Sequence, residues 1–233
     1  MDKQNKTEKS WYQKWWGILA IIILFIFLLF GSAFAFLVNS IAKDPAYKLP
    51  KISNEVIPPD QLKLITGSNN YFLGPKDKAP ITVVEFADFS CPHCKLSAPL
   101  IRKLSYKYKD KVKIIFRDYP VISEYSLNLA LAGRCAGEQG FFWLMHDKLF
   151  SSQGKDEIAD LKTLAAGLGV DTTRFNTCFD KQKYNTQIAK DYSDGQSLGV
   201  VGTPTFFING HLIEGDLPEN VWEAVIQKVL AGE

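Results

Sequence analysis

The tetrapeptide Cys91-Pro92-His93-Cys94 constrains this chain more than any other feature, because of what stands on either side of it. Before it runs Ile81-Thr82-Val83-Val84-Glu85-Phe86-Ala87, the nearly continuous apolar and β-branched pattern of a strand covered on both faces and central in its sheet. After it come Leu96, Leu100, Ile101, Leu104 and Tyr108, a helical spacing with Pro99 inside it. Two cysteines separated by two residues can close a small disulfide ring. A cysteine at a helix N-terminus has its thiolate stabilised by unpaired N–H groups and by the helix dipole. Pro92 suits the first helical position, where its missing N–H is not needed. The expected chemistry is thiol–disulfide exchange, with Cys91 at the exposed helix start as nucleophile and Cys94, one turn inside, as resolving thiol.

Other cysteine chemistries fit less well. Zinc would require two further ligands at suitable spacing, whereas Cys135 and Cys178 are isolated singles. A c-type haem site needs His directly after the second cysteine, and Lys95 stands there. A purely structural disulfide is the remaining alternative. No nucleotide-binding fingerprint is visible, so no cofactor and no metal are expected. His93 lies inside the ring, where its imidazolium or N–H would stabilise the Cys91 thiolate and make the disulfide more oxidising; the plain alternative is a solvated spacer. Cys135 and Cys178 are either a second, structural disulfide or two separate buried thiols. A bridge of that span would be worth about 4 kcal/mol in the chain-entropy model. His146 and His211 are assigned to structure, and Phe141, Phe142, Trp143 and Phe150 to a helical core.

Gly17 to Val38 carries no charge, and 22 helical residues span about 33 Å, slightly more than the hydrocarbon core of a bilayer. Trp11, Tyr12, Trp15 and Trp16 crowd its N-terminal edge, as interfacial aromatics do. The expected organisation is a cytoplasmic N-terminus at 1–16, a transmembrane anchor at 17–38, a linker at 39–70 and a globular domain at 71–233. Signal cleavage near Ala35 is the alternative, since Ala33-Phe34-Ala35 fits the small-x-small pattern. In either case the catalytic part is exported, because a dithiol oxidant belongs outside the reducing cytosol. The first 16 residues hold four Lys against Asp2 and Glu8, and the remainder is balanced at 23 basic to 23 acidic residues. No basic patch is implied, so nucleic acid is not an expected partner.

Pro45, Pro50, Pro58 and Pro59 among polar residues give residues 43–70 the character of a tether, with one short helical turn at Asp60 to Thr66. Val112 to Phe116 is a second strand. Ser123 to Val200 contains no convincing strand, and its apolar spacing predicts helices at Tyr125 to Glu138, Phe141 to Phe150, Ile158 to Leu168 and Tyr184 to Leu198. Thr205 to Ile208 and His211 to Glu214 flank Asn209-Gly210, the dipeptide that favours a type I′ hairpin turn. Leu217 to Leu230 closes the chain as an amphipathic helix. The order is βαβ, a helical insertion at about 123–200, then ββα.

In that order, with Cys91-Pro92-His93-Cys94 after the first strand and Val201-Gly202-Thr203-Pro204 before the hairpin, the sequence resembles the DsbA-like branch of the thioredoxin-fold superfamily, in its membrane-anchored bacterial form. The resemblance implies an α/β thioredoxin fold with a helical insertion, preceded here by one transmembrane helix. It places Thr203-Pro204, the superfamily's cis-proline dipeptide, against the active-site disulfide, and puts a buried carboxylate, Glu85, near the resolving cysteine. A Glu85 at a strand position exposed to water is the alternative. The implied activity is an oxidase that passes the Cys91–Cys94 disulfide to exported cysteine-containing polypeptides and is restored by a membrane oxidase of the DsbB or vitamin K epoxide reductase type. Rival readings are a tethered reductase or isomerase, and a chaperone or adaptor that only holds clients. A monomer working near the bilayer is expected.

Overall fold

The computed structural model describes residues 15–43, 52–67, 71–76 and 79–231. The expected cytoplasmic N-terminus, apart from Trp15 and Trp16, and residues 44–51 and 68–70 of the expected linker lie outside these. The chain divides into two units, Met1–Leu49 and Pro50–Glu233. The first holds one helix, α1 (Trp15–Lys43), whose stretch Trp15–Leu37 has a mean hydropathy of 3.0 and is long and apolar enough to cross a membrane. At about 1.5 Å per residue the 29-residue helix is about 43 Å long and exceeds the hydrocarbon thickness by between two and three turns.

In the second unit, β1 (Ile52–Val56), β2 (Tyr71–Leu73), β3 (Ile81–Ala87), β4 (Val112–Asp118), β5 (Thr205–Ile208) and β6 (His211–Glu214) form one sheet in the order β1-β6-β5-β3-β4-β2. The β3–β4 pair is parallel and the others antiparallel. The strand preceding the cysteines is therefore interior, as its apolar run requires. The alternation of the strand sorts its side chains between two cores. Ile81 and Val83 pack with Ile101 and Leu104 of α3 (Pro92–Lys107) and with Trp222 and Ile226 of α9 (Glu219–Ala231). Val84 and Phe86 face Tyr119, Leu198 and Phe207 on the other side. Glu85, two residues beyond Val83, thus belongs to the face that α3 covers.

The helical insertion is α4 (Ser126–Gly137), α5 (Phe142–Ser151), α6 (Ile158–Gly167), α7 (Thr172–Asp180) and α8 (Asn185–Ser197). Four of these match the expected helices to within a residue or two. The fifth, α7, was not among the expected helices, although Phe175, Cys178 and Phe179 stand at helical spacing and are buried, and Asp171 caps it by accepting the Arg174 N–H at 3.0 Å. Phe142 and Phe150 fill the helical core as expected, Phe141 and Trp143 pack against it only partly buried, and the His146 imidazole lies among the rings of Phe89, Phe116 and Phe150. The hairpin forms at Asn209-Gly210, whose φ angles of 48° and 92° are those a type I′ turn needs.

Two features depart from the expected tether. β1 pairs with β6, and α2 (Pro59–Ile65) buries Ile65 completely against Val84, Phe86 and Ile115. Residues 52–67 are thus part of the packed domain rather than a linker. Their prolines mislead: Pro59 opens α2 at a position where its missing N–H is harmless.

A buried ion network joins sheet to insertion. Arg117 of β4 pairs with Asp191 of α8 at 2.8 Å and with Asp194, while Arg134 of α4 pairs with Asp118 and Asp191. Arg117 also donates to the Ile65 carbonyl at 3.0 Å, tying α2 to the same network. Burial pushes Asp118 up to about 6 despite its arginine neighbours. α8 comes close to the sheet end at Gly195, where a Cβ would stand 2.8 Å from the Tyr119 ring.

Candidate active site

The turn from β3 into α3 places the two cysteines. Asp88 organises it: its backbone carbonyl accepts the Cys91 N–H at 3.0 Å, and its carboxylate accepts the N–H groups of Ser90, Val121 and Ile122 at 2.7 to 2.8 Å. Cys91 is the N-cap residue of α3 in extended conformation, φ −77° and ψ 123°, and Pro92 opens the helix. Cys94 falls in the first turn and is fully covered, and Cys91, expected at an exposed helix start, is itself buried at 2% exposure beneath the Thr203 carbonyl. Both stand here as free thiols.

Their surroundings split the two thiols apart. The Cys91 thiol is lowered to about 6, first by a hydrogen bond from the Cys94 thiol and further by the main-chain N–H groups of Cys94 and His93, against an opposing contribution from burial. Those N–H groups are the unpaired donors of a helix N-terminus. The Cys94 thiol is pushed well above its ordinary value, chiefly by burial and then by the neighbouring Cys91 and Glu85.

The segment before β5 forms the opposite wall. The Thr203–Pro204 bond is cis, and the Cys91 Sγ donates to the Thr203 carbonyl at 3.2 Å. The loop is held by the Thr205 hydroxyl on the Gly202 carbonyl at 2.7 Å and by the Gly215 N–H on the Pro204 carbonyl at 2.9 Å. Val201, at its start, is 83% exposed, so an apolar side chain stands at the open edge of this loop.

Glu85 is completely buried, neither carboxylate oxygen has a hydrogen-bond partner among the described residues, and burial raises it to about 8. The alternative of a water-exposed strand glutamate is thereby excluded. His93 differs from expectation. Its main-chain N–H serves the Cys91 sulfur, but the imidazole is more than half exposed and its Nδ1 lies 3.1 Å from Asp216 Oδ1. Cys135 and Cys178 are bonded to each other, joining α4 to α7 with Cα atoms 5.7 Å apart.

The structure thus brings Cys91, Cys94, Glu85, Thr203, Pro204 and the main chain of His93 together. Sequence reasoning missed Asp88, Asp216 and Gln153. Asp88, three positions before the nucleophile at a strand end, is the kind of residue that caps a turn and could have been found. Asp216 and Gln153 lie 123 and 62 positions from the residues they contact, and no local pattern marks them.

An asymmetric dithiol at the start of the helix that follows an interior strand, facing a cis-proline, defines a thioredoxin-fold dithiol protein with a helical insertion. The family described as thioredoxin matches residues 68–228, and the chain belongs to it. Among curated relatives, disulfide bond formation protein D of Bacillus subtilis is 30% identical over 68% of this chain and 76% of its own length. The probable disulfide bond formation protein D of Bacillus anthracis is 32% identical over 60% of this chain and 70% of its own length. A Na(+)/H(+) antiporter, NhaA 1, of Salinispora arenicola is 33% identical over 74% of this chain, which spans only 26% of that longer protein. Among solved structures, BdbD from Bacillus subtilis superimposes with a TM-score of 0.63 at 27% identity, covering 70% of this chain and 93% of its own. α-DsbA1 from Wolbachia pipientis does so with a TM-score of 0.67 at 26% identity, over 74% and 96%. In sequence and in fold the chain is similar to DsbA-like thiol–disulfide oxidoreductases.

Proposed function

We propose that this protein donates disulfides: that it works on the outer face of a membrane, held there by α1, and oxidises exported cysteine-containing polypeptides. The observation that carries the reading is the split between the thiols, with Cys91 near 6 and Cys94 well above 9. A stabilised Cys91 thiolate favours the reduced dithiol, which makes the corresponding disulfide a stronger oxidant.

In the oxidised protein a client thiolate attacks the Cys91 sulfur, the Cys91–Cys94 bond breaks, and Cys94 departs with the bonding pair. Glu85, protonated at neutral pH and near enough to act on the Cys94 thiol electrostatically, supplies the proton that a thiol of such high pKa takes up. The second client thiolate then attacks the client sulfur of the mixed disulfide, and Cys91 leaves as a thiolate. The client loses two electrons and gains one disulfide, and the protein is left as the dithiol. Thr203, next to a proline that has no N–H, offers its main chain to an extended client segment. Reoxidation falls to a membrane oxidase of the DsbB or vitamin K epoxide reductase type.

The test is oxidative folding of a reduced, denatured multi-disulfide client by the oxidised full chain in detergent. Acceleration that Cys91→Ser abolishes supports the reading. Reduction of client disulfides by the dithiol form, without acceleration of their formation, would make it a reductase instead.

A further inference from the structure

Gln153 belongs to the connection between α5 and α6, in the helical insertion, yet its amide reaches the main chain of the cysteine turn. Nε2 lies 2.9 Å from the Phe89 carbonyl oxygen and 2.9 Å from that of Cys91, so each amide hydrogen has one acceptor. The Cys91 carbonyl also takes the Lys95 N–H at 3.1 Å, the first hydrogen bond of α3. Asp88 grips the same turn from inside through the N–H groups of Ser90 and Cys91. The turn is therefore held on two sides, by donors from the insertion and by acceptors from the strand end.

The direction of the Gln153 contacts matters electrostatically. A carbonyl oxygen is the negative end of a peptide dipole, and one turned toward a forming thiolate destabilises it, whereas an N–H stabilises it. By engaging the Phe89 and Cys91 carbonyls, Gln153 keeps both turned toward the insertion. The Cys91 sulfur, which already meets the Thr203 carbonyl at 3.2 Å, is thereby spared two further carbonyls and keeps the N–H groups of His93 and Cys94.

We propose that Gln153 is a positioning residue for the Cys91 thiolate, through which the helical insertion sets how oxidising the dithiol is. The proposal rests on the reading of Cys91 as the exchanging thiol. It gives the insertion a part in the redox chemistry besides covering the site.

The experiment titrates thiolate absorbance and the equilibrium with glutathione in the full chain in detergent, for the wild type, Gln153→Met, Gln153→Glu and Lys155→Ala. Methionine keeps the length of the side chain without its donors. Glutamate keeps the shape but turns acceptors toward two carbonyls. Lys155, exposed in the same connection, is the control. Gln153→Met is expected to raise the Cys91 pKa and to shift the glutathione equilibrium about fivefold toward oxidised protein, the worth of one net hydrogen bond, or about 20 mV. Gln153→Glu should shift both further, and Lys155→Ala neither. Wild-type pKa and equilibrium in both Gln153 variants would overturn the proposal, even with a lowered melting temperature, which would mark Gln153 as structural only. That result leaves the reading of the site intact. A wild type that neither titrates below an ordinary thiol nor exchanges with glutathione refutes both together.

Discussion

Glu85→Gln should change the pH dependence of stability more than stability itself. In the folded protein the carboxyl is fully buried, has no hydrogen-bond partner and is raised to about 8. In the unfolded chain it titrates near 4.5. The native state therefore holds this proton where the unfolded state releases it, so stability is full below about pH 4.5 and is lost as pH rises toward 8. At about 1.4 kcal/mol per pH unit, the wild type loses roughly 3 kcal/mol from this group between pH 4.5 and 7. Glutamine cannot ionise and loses none of it, although its buried amide carries a constant penalty of its own. The assay is urea denaturation of the reduced protein, wild type and Glu85→Gln, at half-unit steps from pH 4.5 to 8. The difference in unfolding free energy should climb in favour of the glutamine variant by about 3 kcal/mol up to pH 7. A difference that stays flat with pH would refute the reasoning, because it would mean that the carboxyl ionises as freely folded as unfolded. The same variant should slow the step in which Cys94 gains its proton, read as slower formation of the mixed disulfide from the oxidised protein.

Iodoacetamide at pH 7 should modify one thiol quickly, Cys91, with a rate that follows ionisation near 6, while Cys94 reacts only after unfolding; two thiols of equal rate would contradict the split. Replacing Cys135 and Cys178 together by Ala should cost about 4 kcal/mol of stability, measured by denaturant titration, and leave glutathione exchange by Cys91 intact. Asp191→Ala, which leaves Arg117 and Arg134 buried without a shared carboxylate, should destabilise by about 3–5 kcal/mol, and a loss under 1 kcal/mol would show the network to be dispensable. Deleting residues 1–51 should leave a folded domain, whereas deletion through 67 should lower the melting temperature by removing β1, α2 and the buried Ile65.

What could be read from the sequence follows the range of the interactions involved. The central strand, the cysteine turn, the Asn209-Gly210 hairpin and four insertion helices declare themselves within windows of about a dozen residues, because periodicity and turn chemistry are local. β1 and β2 do not. β1 has apolar residues only at its ends, Ile52 and Val56, and β2 is three residues long, so both owe their strand form to the partners β6 and β4. Glu85 could be noticed as an acid in an apolar strand, but its two unsatisfied oxygens depend on α3 lying over it. The imidazole of His93 was expected on the sulfur and instead pairs with Asp216, a residue that only the packing of the β6–α9 connection brings near. Gln153 is the extreme case, since a glutamine in a loop carries no signal until the fold sets its amide beside two carbonyls.

The most direct test is the equilibrium reduction potential of the Cys91–Cys94 pair in the full chain, measured against glutathione at neutral pH. A disulfide donor should lie toward the oxidising end, near the roughly −120 mV of DsbA. A value near the roughly −270 mV of thioredoxin would contradict disulfide donation and make the tethered domain a reductase that draws electrons from across the membrane.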